Sequence, residues 1–308
     1  LKIIIPTYPP HFKWNKLFLQ SIKKYCIDYE NVKIDFIIER NNKIFFENYI
    51  NEYKSDNICI KCIEDITNKY STPKLPSTIW DKYAYQAIKK MMSVIDSDCE
   101  LNLVLDSENV CVTYFKFYEL FENESVIYYC DWTVSDVQNR VLTDSNEIIK
   151  LNNNKWFFET SFWIYRKSIF IKLFEQIKIN NNLNNSNTIQ FLSSKIFFEK
   201  NVYDLFMLNN KLNSDIIDQK DCELIYGNFD PLINKSITTE HIITYTNAYD
   251  IDKYIQFVNN RKYKIFRTNN IVDNNVIDKI INNTNLIVAT LFDYDENFFT
   301  FWNNKINE

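Results

Sequence analysis

Short apolar runs alternate along the first half of the chain with stretches where apolar residues recur every three or four positions. Lys2-Ile3-Ile4-Ile5 reads as a buried strand closed by Pro6. Trp14, Leu17, Phe18, Ile22 and Tyr25 then recur at helical spacing. The β-rich run 32–39 predicts a second strand, 43–53 a helix and 58–63 a third strand. Residues 71–77, with two prolines, predict a loop. After it Ile79, Tyr83, Ala87, Met91 and Ile95 repeat every four residues, so a long helix is expected, with Ser77 or Thr78 as its cap. Residues 101–105 predict a compact strand, 114–121 a helix and 126–130 another strand.

Alternating strand and helix predicts an α/β fold: a mostly parallel, Rossmann-like sheet flanked by helices. The second half is less regular. Residues 156–165 are aromatic and β-like, 167–177 read as a helix, and 180–187 as an Asn-rich loop. Residues 189–212 predict one or two helices, and the segment from about 239 mixes short strands and helices. The expected organisation is one larger domain over 1–240, divided into halves at 1–112 and 113–240. A smaller α+β region is expected over 241–308. No internal repeat is visible, and the chain opens inside its first strand, which predicts a missing upstream segment.

Composition narrows the function classes. Hydrophobic residues make up 46% of the 308 positions, enough for a sizeable core. The single glycine, Gly227, rules out a Walker loop or a GxGxxG turn. A net charge of −5 argues against nucleic acid as a partner, because phosphate neutralisation drives that binding. The seven cysteines are odd in number and scattered, which points to reduced thiols and a cytoplasmic setting. Cys59 and Cys62 form a CxxC within a strand-like run, where their side chains fall on opposite faces and cannot share a metal. No stretch reaches membrane-spanning length without a charge, which leaves only peripheral membrane contact open.

The chemistry concentrates where strands end. In Leu101-Asn102-Leu103-Val104-Leu105-Asp106-Ser107-Glu108, an apolar strand delivers two carboxylates one residue apart to its carboxyl end. Such a pair suits a hard divalent cation, Mn²⁺ or Mg²⁺. Pro6-Thr7-Tyr8 and Glu39-Arg40 also fall at strand carboxyl ends, where open α/β sheets bind ligands. Lys82 and Gln86 share one face of the long helix and could reach phosphate and sugar hydroxyls.

Three of these segments together resemble the GT-A glycosyltransferases. The opening strand and Pro-Thr turn of residues 2–7 is similar to theirs, and 101–110 resembles their DxD region. The helix sequence PSTIWDKYAYQAIKK resembles one found in bacterial and viral glycan-biosynthesis transferases. The resemblance covers roughly the first two-thirds of the chain and departs from the motif at Glu108, where the family has Asp. It implies transfer of a sugar from a nucleoside-diphosphate donor to a glycan, lipid-linked or protein acceptor. Pro6, Thr7 and Tyr8 would border the base and ribose, with Glu39 or Arg40 nearby. Asp106, Ser107 and Glu108 would hold cation and diphosphate. A late histidine often adds a metal ligand in such enzymes, and His241 is the late candidate here, whereas His11 reads as a loop residue.

An inverting transferase needs a carboxylate base, and Glu199, Asp131 and Glu159 are the candidates, each beside aromatic residues; a retaining one needs no such base, and both outcomes stay open in the sequence. Two rival functions share the pattern. A sugar nucleotidyltransferase would carry a Gly-rich basic loop where this chain has Pro6-Thr7-Tyr8. A catalytically inactive glycan-binding or scaffold module is compatible with Glu108 in place of Asp.

Overall fold

The computed structural model describes residues 1–69, 79–121, 126–130, 136–153, 156–157, 163–212, 215–218, 251–252, 255–256, 259, 265–268, 274–291 and 296–307. Its centre is a five-stranded sheet built from β1 (Lys2–Pro6), β2 (Ile34–Ile38), β3 (Ile58–Cys62), β4 (Leu101–Val104) and the later strand Ile164–Arg166. β1 lies parallel between β2 and β4, with β3 parallel at the β2 edge; Ile164–Arg166 closes the other edge antiparallel to β4. The mostly parallel α/β sheet expected from the alternation is therefore present.

Helices cover both faces, which explains why these strands read as continuous apolar runs rather than alternating ones. On one face Ile3, Ile5, Ile34, Phe36, Ile38 and Leu103 pack against α1 (Phe12–Tyr25) through Trp14, Leu17, Phe18 and Ile22, and against α2 (Lys43–Tyr49) through Phe46. On the other, Ile4, Ile37 and Val104 meet α3 (Ile63–Asn68) and the long α4 (Ile79–Asp96) through Ile66, Ala84, Ile88 and Met91. Asp35 is the charged exception in β2. It is buried beside two ammoniums, Lys2 Nζ at 3.1 Å and Lys61 Nζ at 2.9 Å, which compensate its charge.

Two small three-stranded sheets flank the main one. After β4 the chain forms β5 (Asn109–Cys111), β6 (Val126–Cys130), α5 (Asp136–Ile149), β7 (Trp156–Phe157), β8 (Ile164–Arg166), α6 (Lys167–Asn180), α7 (Asn185–Ser193) and α8 (Glu199–Asn209). β9 (Asp215–Asp218), β10 (Ile265–Thr268), α9 (Asn274–Asn282), β11 (Val288–Leu291) and α10 (Glu296–Asn307) complete the described elements. β6 pairs with β7 and β9, while β11 pairs parallel with β10 and antiparallel with β5.

The sequence sets residues 241–308 apart as an appended region. The structure ties the described part of this segment into the core around α1: β11 hydrogen-bonds to β5, and Ile277, Ile280, Trp302 and Ile306 share the cluster of Trp14 and Phe18. Ser21 on α1 reinforces the junction, because its hydroxyl accepts from the buried Cys111 N–H at 2.8 Å.

Three local details depart from the sequence reading or add to it. Residues 114–121 form a short 3-10 turn, Phe117–Phe121, rather than a helix, because Phe115 bridges to Cys26 and draws the chain into an extended path. The helix α5 was not visible in the apolar pattern, since four of its six buried positions are Gln138, Val141, Asp144 and Ser145, only one of them apolar. In the Asn-rich stretch 180–187 the loop expected there spans 181–184: α6 runs to Asn180 and α7 begins at Asn185, capped by the Asn184 side chain accepting from Asn187 N. No helix among the described residues is long and apolar enough to cross a membrane.

Candidate active site

The strand order β3-β2-β1-β4 puts the switch point of the sheet between β1 and β4. From β1 the chain proceeds to β2 on one side and returns to β4 on the other, so the connections diverge and leave a crevice at the carboxyl ends. Pro6 closes β1 there, and Leu105 N donates to Ile4 O at 2.9 Å, carrying the β1–β4 pairing to the residue before Asp106. Asp106 then leaves the sheet. The Asn109 side chain donates back to the Asp106 carbonyl and closes a tight turn, which lifts Ser107 and Glu108 beside the β1 loop.

That loop meets the triplet through His11. Its Nδ1 is hydrogen-bonded to Ser107 Oγ and lies 3.0 Å from Glu108 Oε1, while Ser107 Oγ donates to Glu108 Oε2 at 3.2 Å. Serine and glutamate share one ring nitrogen, so this is not a nucleophile–base–orienter relay, which needs partners on opposite sides of the ring. The Tyr8 ring lies 4.0 Å, centroid to centroid, from the His11 ring. Burial, and then the charge of Glu108, raises the Tyr8 phenol above its ordinary pKa. Thr7 is buried, its N–H donating to Ile37 O at 2.9 Å.

Helix α4 supplies the remaining charges. Lys90 Nζ stands 3.3 Å from Asp106 Oδ1 and 3.4 Å from Glu199 Oε1, over the ring of Trp163 at 3.9 Å. Glu199 opens α8 and accepts from Tyr165 Oη at 3.3 Å. Burial raises its carboxyl pKa; the Lys90 ammonium opposes that shift and Asp106 adds to it. Asp144 of α5 fixes the approach to α8, its carboxylate accepting from Ile196 N at 2.8 Å. One residue back on α4, Lys89 Nζ donates to the Thr7 carbonyl at 2.9 Å and anchors the β1 loop from below.

The other sequence candidates disperse. Glu39 Oε1 accepts from Tyr85 Oη at 3.3 Å, beneath the β2 end. Arg40 turns toward β3, pairing with Asp65 while its N–H bonds Glu64 Oε2 at 3.0 Å. Gln86 is exposed on α4, and the side chain of Lys82 lies outside the described residues. Asp131, Glu159 and His241 also lie outside them. Of the three proposed bases, Glu199 is the one seen beside the triplet. Cys59 is exposed and Cys62 buried, consistent with opposite faces of β3. A separate concavity of about 410 Å³, lined by Glu47, Lys54 and Asp56 among others, sits at the amino end of β3, away from this crevice.

Sequence reasoning missed His11, Lys89, Lys90, Trp163 and Tyr165. The legible signal was the adjacent Lys89-Lys90 pair inside an otherwise apolar stretch of helix, Ala87-Ile88 to Met91-Met92. Lysines at such positions need partners or must stay neutral.

Asp106 and Glu108 have the hard-oxygen chemistry for Mg²⁺ or Mn²⁺, which often take one or two carboxylates and complete their shell with water and substrate phosphate. The Asp106 side chain is 44% exposed and open to solvent. Among the described residues no three His, Cys, Asp or Glu side chains group closely enough to hold a metal ion by themselves.

Lys89 makes the site pH-sensitive in a definite direction. Burial pushes its ammonium down to about 8, against the opposing pull of Glu39 and Glu64. Between that value and its free pKa the unfolded chain binds a proton that the folded chain does not, so stability rises with pH. The stability of the wild type relative to Lys89→Met is expected to increase by about 1–3 kcal/mol between pH 7.5 and 10. Urea unfolding at both pH values checks this, and a flat difference would mean that Lys89 is not buried as an ammonium.

Neither a protein-family model nor a curated protein matches the sequence. Among solved structures the chain is similar to the apo form of mouse xyloside xylosyltransferase 1, with a TM-score of 0.41 and 11% identity. The similarity covers 70% of this chain and 84% of that one.

Proposed function

We propose that the chain is a glycosyltransferase that moves a sugar from a nucleoside-diphosphate donor to a glycan, lipid-linked or protein acceptor. The observation that carries this reading is the meeting of the β1 loop and the acidic triplet at one switch-point crevice, with the buried Glu199 linked to Asp106 through Lys90. Charge supports a cation there. The Lys90 ammonium is shared by two carboxylates and Glu108 adds a third, so a diphosphate approaching this cluster needs further positive charge.

In this reading Thr7 and Tyr8 border the base and ribose, and Asp106 and Glu108 hold Mn²⁺ or Mg²⁺. The cation supplies Lewis-acid stabilisation of the departing diphosphate. The acceptor oxygen attacks the anomeric carbon, the bond from that carbon to the phosphate oxygen breaks, and the acceptor proton passes to the Glu199 carboxylate. Glutamate in place of the motif's aspartate at position 108 lengthens one ligand arm by a methylene without removing its donor oxygens.

The test is a thermal-shift panel of UDP-, GDP-, CMP- and dTDP-sugars, with and without Mn²⁺, on wild type and Asp106→Ala. A donor at about a hundred times its Kd adds roughly 2.7 kcal/mol of stability. One nucleotide class is expected to stabilise the wild type only with Mn²⁺, and Asp106→Ala to abolish the shift. If no nucleotide stabilises the wild type, the transferase reading fails and an inactive glycan-binding or scaffold module takes its place.

A further inference from the structure

Lys90 links Glu199 to Asp106 but takes no step in the reaction proposed above, and it occupies the centre of the charge cluster. Its side chain is 12% exposed, and its Nζ sits almost equally far from Asp106 Oδ1 (3.3 Å) and Glu199 Oε1 (3.4 Å). The ring of Trp163 lies 3.9 Å from the ammonium. This platform is fixed by the sheet, since the Trp163 carbonyl accepts from Val104 N at 3.0 Å, at the end of β4. A cation over an aromatic face is held without a directional bond, so it can shift between acceptors on either side.

The two acceptors differ in access. The Asp106 side chain is 44% exposed and the Glu199 side chain 5%. A cation arriving from solvent therefore meets Asp106 first. Two positive charges on one carboxylate repel each other, and the buried carboxylate already stands within reach of the ammonium. Burial makes an unpaired charge at Glu199 costly, which favours the ammonium moving inward rather than out to water.

We infer that Lys90 is a positioning residue whose ammonium serves as the internal counter-ion of Asp106 and is displaced toward Glu199 when a divalent cation binds. The inference rests on the reading that Asp106 holds that cation. It gives the crevice two states: a closed one with Lys90 shared by two carboxylates, and a loaded one with Lys90 committed to Glu199. Cation binding would then bring Glu199 a full-time partner at the moment the donor arrives.

Mn²⁺ affinity, read from the EPR signal of free Mn²⁺ without any donor, tests this directly. Lys90→Met removes the competing charge and is expected to bind Mn²⁺ about tenfold tighter than wild type, or more. Lys90→Arg keeps the charge and is expected to stay within about threefold of wild type. Because Lys90→Met leaves Glu199 buried without its partner, the comparison is repeated between Glu199→Gln and Lys90→Met/Glu199→Gln, where no such carboxylate remains. A larger tightening is expected there, because the ammonium has no second carboxylate to move to, and Asp106→Ala should erase it. Equal Mn²⁺ affinity with and without Lys90 overturns the inference while leaving the cation at Asp106 in place. Absence of Mn²⁺ binding in every variant overturns the cation reading itself, and this inference with it.

Discussion

Glu199→Gln is expected to lower the rate of sugar transfer by about 10²–10⁴-fold while donor binding is retained. The substitution keeps the shape and the hydrogen bond from Tyr165 Oη, and it removes the carboxylate charge, and with it both the ion pair to Lys90 and the ability to accept a proton. Glu199 is suited to that task by two opposed influences. Burial favours its neutral form, whereas the Lys90 ammonium and its place at the start of α8 favour the carboxylate. The result is a carboxyl whose pKa lies above the ordinary glutamate value yet which has a stabilised anion, as a base working near neutral pH requires. The carboxylate is the active form, so kcat/KM should fall as pH is lowered through that raised pKa. The acidic limb should vanish in Glu199→Gln. Measuring the pH profile of both enzymes with the donor identified by thermal shift settles it. An unchanged rate in Glu199→Gln would place the proton acceptor elsewhere and leave Glu199 a structural residue.

The second large effect concerns the same helix. α8 is buried along nearly its whole length, from Glu199 to Met207. A helix in that position has no solvent face for its charges, so each must find a partner inside. Lys200 and Asp204 do so one turn apart, with Nζ 2.8 Å from Oδ1 and 2.6 Å from Oδ2. Their side chains are 8% and 1% exposed. Burial raises the Asp204 carboxyl, and the Lys200 ammonium opposes that rise.

Breaking such a pair from one side costs more than the pair contributes, because the remaining charge is stranded. Lys200→Met is expected to destabilise the protein by about 3–5 kcal/mol. In the variant the Asp204 pKa climbs further above its unfolded value. The unfolded chain then binds fewer protons than the folded one across that window, and stability falls as pH rises through it. The loss should accordingly be larger at pH 7 than at pH 5. Lys200→Met/Asp204→Leu, which removes both charges, should regain most of it. Urea unfolding of the three proteins at two pH values is the measurement. A loss below about 1 kcal/mol, the size of an exposed pair, would show that water reaches these groups. Loosening α8 would also displace Glu199, which ties this stability effect to the site.

The parts legible in sequence share a physical cause. Strands buried on both faces need apolar side chains at every position, so β1, β2 and β4 stand out as runs that no exposed element would carry. Because ligands of open α/β sheets gather at strand carboxyl ends, the same runs pointed to Pro6-Thr7-Tyr8 and Asp106-Ser107-Glu108 as a common site. The sequence spacing likewise separated Cys59 from Cys62.

Where reading failed, the deciding contacts were non-local. His11 looked like an ordinary loop residue until folding brought it, across 96 positions, against Ser107. Lys89 and Lys90 stand side by side in sequence and drew no reading. Helix geometry sends one to the Thr7 carbonyl and the other between Asp106 and Glu199, because adjacent residues lie about 100° apart around the axis. The helix α5 escaped notice because its buried face is partly polar, with Asp144 and Gln138 among its inward residues. The pairing of β11 with β5 joins segments more than 170 residues apart, which no local pattern encodes.

The sequence by itself determined the apolar strands, their alternation with helices and the carboxyl ends where acids collect, since each depends on neighbours within a few residues. Only the tertiary structure decided which charges meet there. Ion pairing between α4, α8 and the β4 turn depends on how the sheet brings distant segments within a few ångströms, and Coulomb attraction at that range acts on position in space, not in sequence.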